Sequence, residues 1–234
     1  MNQEVFLSVI VPVYNEEEIL EASLKNKLEW LQQKNFATEL IVVNDASTDL
    51  SEQKILSVKK SADEPVRFNY LKNKTNLGFG GAVWSGIAAA RGEIILCLPA
   101  DLFVVVEKVD EIIALLNTND VVACYRNAKP GNSLVSIVGS SIYQGLIRAI
   151  YRLKIKDLNW VHAYRKSIFM ENGICPKNNR IFFLAEVLIL ANRKKLRISE
   201  MELQQQGREH KKGASQSFGT FVKALSDLAA FMFR

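Results

Sequence analysis

The feature that most constrains this chain is the alternation, across its first hundred residues, of short apolar runs with segments of helical apolar spacing. Phe6–Val13, Leu40–Val43 and Ile94–Leu98 are continuous apolar runs without the in-and-out alternation of a half-exposed strand. Such runs read as strands buried on both faces, and Val66–Leu71 reads as a further strand between them. Between the strands, Glu16–Lys34 carries Ile19, Leu20, Leu24, Leu28 and Leu31 at helical spacing, with acidic residues in its first turn. Ser47, Thr48 and Asp49 offer an N-cap for a helix through about Lys60, and the small-residue stretch Ala82–Ala90 forms a third helix after the loop Asn73–Gly81. Strands alternating with helices predict an α/β fold, a largely parallel central sheet flanked by helices on both faces. Ligands of such sheets bind outside the carboxyl ends of the strands. Tyr14, Asn15, Asp45 and Asp101 stand at those ends and are expected to share one crevice.

The second half continues less regularly. Val104–Leu116 reads as a helix and Val121–Tyr125 as a strand. Ile142–Leu153 reads as a helix with Ile142, Leu146, Ala149 and Leu153 on one face and Arg148 and Arg152 beside it. Ser217–Arg234 is strongly amphipathic, and Lys129–Asn132 is the expected flexible loop. The 234 residues suit a single domain. From Lys129 onward basic residues outnumber acidic ones, which points to phosphate groups or an anionic membrane surface as partners. The aromatic residues are mostly Phe, a composition for packing, and no nucleic acid is expected. Cys97, Cys124 and Cys175 show no metal-ligand spacing, which favours a reducing cytoplasm. No signal peptide is visible, and Ile181–Ala191, the longest apolar candidate, is too short to span a bilayer and carries Glu186.

Four strings then stand in order: Ser8-Val9-Ile10-Val11-Pro12-Val13-Tyr14-Asn15-Glu16, Ile41-Val42-Val43-Asn44-Asp45-Ala46-Ser47-Thr48-Asp49, Asn76-Leu77-Gly78-Phe79-Gly80-Gly81-Ala82 with Gly86, and Ala90-Arg91-Gly92-Glu93. Together they resemble the GT-A glycosyltransferases of the family-2 type across roughly residues 6–102. A dinucleotide-binding turn is excluded, because the glycines follow the third strand and lack the third position of that fingerprint. The resemblance implies that residues 1–102 form a nucleotide-sugar-binding half and 103–234 an acceptor-side half. It implies that Pro12, Tyr14, Glu16 and Asp45 line the nucleoside pocket, with Gly78 and Gly81 near the ribose and the start of the diphosphate. Independently of the resemblance, a carboxylate at a strand end can accept from base or ribose donors, and a helix starting at Ala82 offers amides to phosphate.

The fourth strand ends in Leu98-Pro99-Ala100-Asp101-Leu102-Phe103. The family usually has Asp-x-Asp here, and the subfamily acting on polyprenyl phosphates commonly has Asp-Ala-Asp-Leu-Gln. Asp101 matches the metal-associated acid, so Mg²⁺ or Mn²⁺ is the implied cofactor, while Pro99 and Phe103 replace two usual ligands. The later chain resembles the polyprenyl-phosphate (dolichyl-phosphate mannose synthase-like) transferases more loosely, through Asp157–Phe169 with Arg165, through Glu186, and through Arg208–Ser215. Arg165, Arg208, Lys211, Lys212 and Ser215 are the candidate ligands for an acceptor phosphate. A phosphate acceptor needs no general base; a hydroxyl acceptor needs a carboxylate. Glu186 is the one candidate for that role, its alternative being to orient a basic neighbour. The expectation is an inverting transferase, peripheral at the cytoplasmic membrane face or held by a membrane-protein partner, moving sugar from a nucleotide diphosphate to a polyprenyl phosphate. Two rivals stand beside it: a transferase acting on a glycan hydroxyl, and a non-catalytic nucleotide-sugar-binding protein.

Overall fold

The computed structural model describes residues 4–61, 66–103, 106–126, 134–203 and 218–233. Its seven strands are β1 (Leu7–Val13), β2 (Thr38–Asn44), β3 (Arg67–Lys72), β4 (Ile94–Cys97), β5 (Val121–Tyr125), β6 (His162–Arg165) and β7 (Ile198–Glu202). They form one sheet in the order β3-β2-β1-β4-β6-β5-β7. Every neighbouring pair is parallel except the two made by β6, which runs against β4 and β5. The predicted parallel sheet is therefore present, with one reversed strand that apolar patterning did not reveal.

The helices are α1 (Leu20–Gln32), α2 (Ser51–Lys60), α3 (Gly78–Ala89), α4 (Val106–Leu115), α5 (Leu134–Tyr151), α6 (Ser167–Met170), α7 (Phe182–Arg193) and α8 (Phe218–Met232). The first three strands are laid down outward from β1, and the chain then returns across β1 to place β4 on its other side. Right-handed crossovers in opposite directions must put their helices on opposite faces of the sheet. Accordingly α1 and α2 pack on one face with Leu7, Val9, Val11, Leu40, Val42 and Leu96; α4 joins them there although β4 to β5 runs in the same direction as β3 to β4, so that crossover departs from the rule. The other face, with Ile10, Ile41, Val43, Ile95 and Cys97, is covered by α3, α5, α7 and α8. The parity of β1 and β2, odd and even residues facing different helix layers, is the period of two that a doubly covered strand obeys.

Several boundaries differ from the sequence reading for identifiable reasons. The chain from Glu16 to Ile19 is a turn, and α1 begins only at Leu20. Helix α3 begins at Gly78 rather than Ala82, so the glycines are its first turn. Along α5, Tyr143 and Ile147 are buried while Ile142, Leu146 and Ile150 are exposed, so the apolar face read from Ile142, Leu146 and Ala149 is the outward one and only Leu153, past the helix, is buried. That helix is apolar nearly all round, so spacing leaves its face open and packing decides it. Arg152 lies beyond the helix with φ of 52°. The expected loop Lys129–Asn132 falls outside the described residues.

Helix α3 lies on β1 at Gly86, where an added Cβ would stand 2.5 Å from Ile10 Cγ2. Alanine normally improves a helix interior by about 0.5–1 kcal/mol over glycine, but overpacking a filled core costs about 1–3 kcal/mol. Gly86→Ala is therefore expected to lower the midpoint of denaturant unfolding, and combining it with Ile10→Ala should recover part of the loss relative to additivity. A rise in the midpoint for Gly86→Ala alone would contradict this packing.

Candidate active site

At the carboxyl ends of β1 and β2 the two following loops are laced together. Asn15 and Ala46, the non-glycine residues just past each strand or its first successor, have φ of 54° and 58°. Asn15 Oδ1 accepts from the Thr48 amide at 2.9 Å, and the Asn15 amide donates to Ser47 Oγ at 3.1 Å. The Glu16 amide donates to Ser51 Oγ at 2.9 Å, the Glu17 amide to Asp49 Oδ2 at 3.1 Å, and the Leu50 amide to Glu17 Oε2 at 2.7 Å. These bonds hold two left-handed turns that would otherwise be unfavourable for residues with a Cβ. Pro12 and Glu16 are half-buried in this arrangement, and Tyr14 is exposed.

Asp45 is buried at the end of β2. Its Oδ1 accepts from Asn73 Nδ2 at 2.7 Å and from the Leu77 amide at 2.9 Å, and its Oδ2 accepts from the Gly78 amide at 2.8 Å. The carboxylate thus caps α3, where the helix dipole favours negative charge. Asn73, whose role the sequence did not single out, stands at the end of β3 and completes the arrangement.

The glycines answer to the chain that leads into α7. Gly78 has φ of 81°, and a Cβ on it would lie 2.6 Å from the Asn179 carbonyl oxygen. The Gly81 amide donates to that same oxygen at 3.1 Å, and a Cβ on Gly81 would meet Leu77 Cβ at 2.6 Å. The close approach permitted here is to residues 178–180. Glu186, buried on α7, organises that segment: Oε1 accepts from the Lys177 amide at 3.0 Å and Oε2 from the Asn178 amide at 2.8 Å. Both oxygens are engaged by backbone, so the basic side-chain partner expected from sequence is replaced by two amides. The density of turn-forming residues in Pro176-Lys177-Asn178-Asn179 was the signal available for this segment.

At the end of β4, Asp101 is largely buried between Ala100 and Leu102. Beneath it lies Lys27 of α1, fully buried, which donates to Leu102 O and to Ser23 Oγ, each at 2.6 Å. Burial pushes the Lys27 ammonium down to about 7, and the negative charge of Asp101 pulls it partly back. Pro99, Ala100 and Phe103 provide no further charge in this turn. Among the described residues no three His, Cys, Asp or Glu side chains gather as a metal-binding group. A divalent cation at Asp101 would need most of its shell from elsewhere, such as diphosphate oxygens or water. Burial also holds the Cys97 and Cys124 thiols up at about 12, which makes them packing residues rather than nucleophiles.

The reversed direction of β6 separates the remaining candidates. His162 begins β6 opposite Cys97, at the carboxyl end of β4, and its imidazole is pushed down to about 4 by burial and so stays neutral. Arg165 ends β6 opposite Ile94, at the amino end of β4, where it pairs with Glu93 at 2.8 Å. The sheet therefore places Arg165 at the opposite end from Asp45 and Asp101: it is level with Ile94, Leu7 and Thr38, and Asp45 stands roughly 23 Å further along at about 3.3 Å per residue. Arg208, Lys211, Lys212 and Ser215 lie outside the described residues.

Comparison with known proteins agrees with this geometry. Residues 8–194 match the family described as Glycosyl transferase family 2. A dolichyl-phosphate beta-glucosyltransferase of Trichomonas vaginalis is 28% identical over 227 residues, covering 86% of this chain and 66% of the relative. An undecaprenyl-phosphate 4-deoxy-4-formamido-L-arabinose transferase of Pseudomonas fluorescens is 26% identical over 207 residues, covering 88% of this chain and 59% of the relative. The chain thus spans about two thirds or less of these relatives. Among solved structures, glucosyl-3-phosphoglycerate synthase from Mycobacterium tuberculosis, in complex with Mn²⁺, uridine-diphosphate-glucose and phosphoglyceric acid, superposes with a TM-score of 0.72. It is 18% identical and covers 97% of this chain and 79% of its own. That likeness establishes a shared GT-A fold. A match running from the first strand to just past α7 takes in every element that shapes the crevice, and the chain belongs to glycosyl transferase family 2.

Proposed function

We propose that this chain transfers a sugar from a nucleotide-diphosphate sugar to a polyprenyl phosphate. The observation that carries the reading is a contrast among the relatives: their names differ in the sugar, glucose or 4-deoxy-4-formamido-L-arabinose, and agree on a polyprenyl phosphate. In this reading Pro12, Tyr14, Glu16 and Asp45 border the nucleoside and Asp101 faces the diphosphate; Asp101 would be the protein ligand of any Mg²⁺ or Mn²⁺, which would supply positive charge to the leaving diphosphate. An acceptor phosphate oxygen attacks the anomeric carbon, the bond from that carbon to the diphosphate oxygen breaks, and the nucleoside diphosphate leaves with the electron pair. The acceptor oxygen is already anionic, so no proton has to be removed. Asp45 and Glu186 fit this chemistry, because both carboxylates are committed to structural hydrogen bonds. Arg208, Lys211, Lys212 and Ser215 remain the proposed holders of the acceptor phosphate.

The reading places the chain at a membrane surface. No helix among the described residues is long and apolar enough to cross one. Instead the ends of α5, α7 and α8 meet: the Tyr151 and Phe231 rings lie 5.7 Å apart, and the Arg193 guanidinium stands 5.3 and 5.4 Å from them. Around this junction Ile142, Leu146, Ile150, Met232 and Phe233 are exposed. Arg148 and Arg152 on or just past α5, Arg193, Lys194 and Lys195 at the end of α7 and Lys223 on α8 belong to the same three elements, while Asp227, the one acidic residue of 218–233, pairs with Arg180. Exposed apolar side chains accompanied by basic ones suit an anionic bilayer surface.

Incubation with radiolabelled nucleotide sugars and polyprenyl phosphate should yield an organic-soluble labelled lipid. Label appearing only in water-soluble glycan would favour a hydroxyl acceptor, and nucleotide binding without turnover across donors and metals a non-catalytic protein. Glu186→Gln replaces an accepting oxygen with a donating amide, so it should cost about 1–3 kcal/mol of stability. An unchanged melting temperature with lost turnover would instead make Glu186 the base. Co-sedimentation with phosphatidylglycerol vesicles should exceed that with phosphatidylcholine vesicles, and the pair Ile150→Glu and Phe233→Glu should reduce it severalfold. Equal sedimentation of wild type and variant would remove this face from the membrane reading.

A further inference from the structure

Lys27 is a lysine in the middle of an apolar stripe, where an amphipathic helix has no ordinary use for one. It follows Leu20 by seven residues and Leu24 by three, and precedes Leu31 by four, so helical periodicity puts it among buried leucines. The structure confirms the placement: Lys27 and Ser23 are both fully buried, on the side of α1 that faces the sheet. Stability alone does not account for an ammonium there, because burying charge costs more than well-packed hydrocarbon of the same volume.

What Lys27 touches explains it better. Its ammonium donates at 2.6 Å to the carbonyl of Leu102, the residue that follows Asp101. Its second bond, also 2.6 Å, goes to Ser23 Oγ, and Ser23 Oγ itself stands 3.5 Å from the same carbonyl. Leu98 is held to β1 through the Ile10 carbonyl at 2.9 Å, and the Leu102 amide reaches Pro99 O at a long 3.3 Å. Leu98, Ala100 and Leu102 point into the core, so the carbonyl pinned by Lys27 sets how the intervening residue leaves the turn. Asp101 is also the charge that Lys27 senses. An ammonium on the core side of that carboxylate compensates its charge, while Pro99, Ala100 and Phe103 carry none.

We propose that Lys27 is a positioning residue, which pins the turn after β4 through Leu102 and so fixes the direction in which Asp101 presents its carboxylate to the donor diphosphate. The proposal rests on the donor-site reading above for its ligand, and on the two short hydrogen bonds for its geometry. Lys27 itself touches no substrate. It acts only through the turn, so its removal should harm the diphosphate end of the crevice and spare the nucleoside end, which Tyr14 and Asp45 border.

The test is Lys27→Met, which keeps the length and apolar stem of the side chain without its charge, with Lys27→Gln as a second variant that retains an amide donor. Hydrogen exchange of the amides of residues 100–103 should quicken severalfold in Lys27→Met, less in Lys27→Gln, while exchange elsewhere in the sheet is unchanged. Affinity for UDP should fall about tenfold, the equivalent of one lost buried hydrogen bond, and affinity for uridine should stay within about twofold. Unchanged exchange at 100–103 would overturn the proposal, as would an equal loss of UDP and uridine affinity. Should the wild-type protein bind neither UDP nor uridine, the uridine-nucleotide donor falls, and the exchange measurement alone still decides whether Lys27 holds the turn.

Discussion

A single buried carboxylate ties the crevice together. Asp45 ends β2, yet its partners belong to the end of β3 and the start of α3. Three donors satisfy a group that would otherwise be costly to bury, and two of them are backbone amides at a helix N-terminus, where the dipole adds to the hydrogen bonds. Asp45 therefore sets where α3 begins, which sets where Gly78 and Gly81 stand, which in turn sets how closely residues 178–180 approach. Glu186 repeats the device from the other side, with two amides of the same approaching segment. Two carboxylates, one from each half of the chain, clamp the same helix start.

Much of this arrangement was legible in the residues. The strands of the first half are continuous apolar runs, and their order and covering follow from the way right-handed crossovers pack. That Tyr14, Asp45 and Asp101 stand at one end of the sheet follows from where its parallel strands end. The role of each carboxylate was harder to read, because an acidic residue at a strand end looks the same whether it faces a ligand or caps a helix. Glu186 shows the ambiguity best: its position within an apolar helix marks it as special, but only the segment 177–178 folded against it reveals what it binds.

Two features depend on contacts distant in sequence. The reversal of β6 is written in no periodicity, and it puts Arg165 at the amino end of β4, beside Glu93. The face that α5 buries is open in the sequence because apolar residues occupy almost the whole circumference, so the partner chooses it. Lys27, in contrast, carries a signal of its own. Its spacing from Leu20, Leu24 and Leu31 places it inside the stripe, although lysine is ordinarily a surface residue.

The reversed strand has a further meaning for how the crevice is assembled. On the side of β1 and β2, the crevice is bordered by loops that leave strands. On the side of β6, it is bordered by the chain that enters a strand, the stretch from Asp157 to Val161, where Asp157 pairs with Arg126 and that guanidinium lies 4.0 Å from the Trp160 ring. A strand that enters from the crevice takes its chain from α5 through this segment and runs antiparallel between β4 and β5. The length of that entering segment is thus independent of the spacing of β1, β2 and β4, and one flank of the crevice can be rebuilt in sequence while the other keeps its geometry.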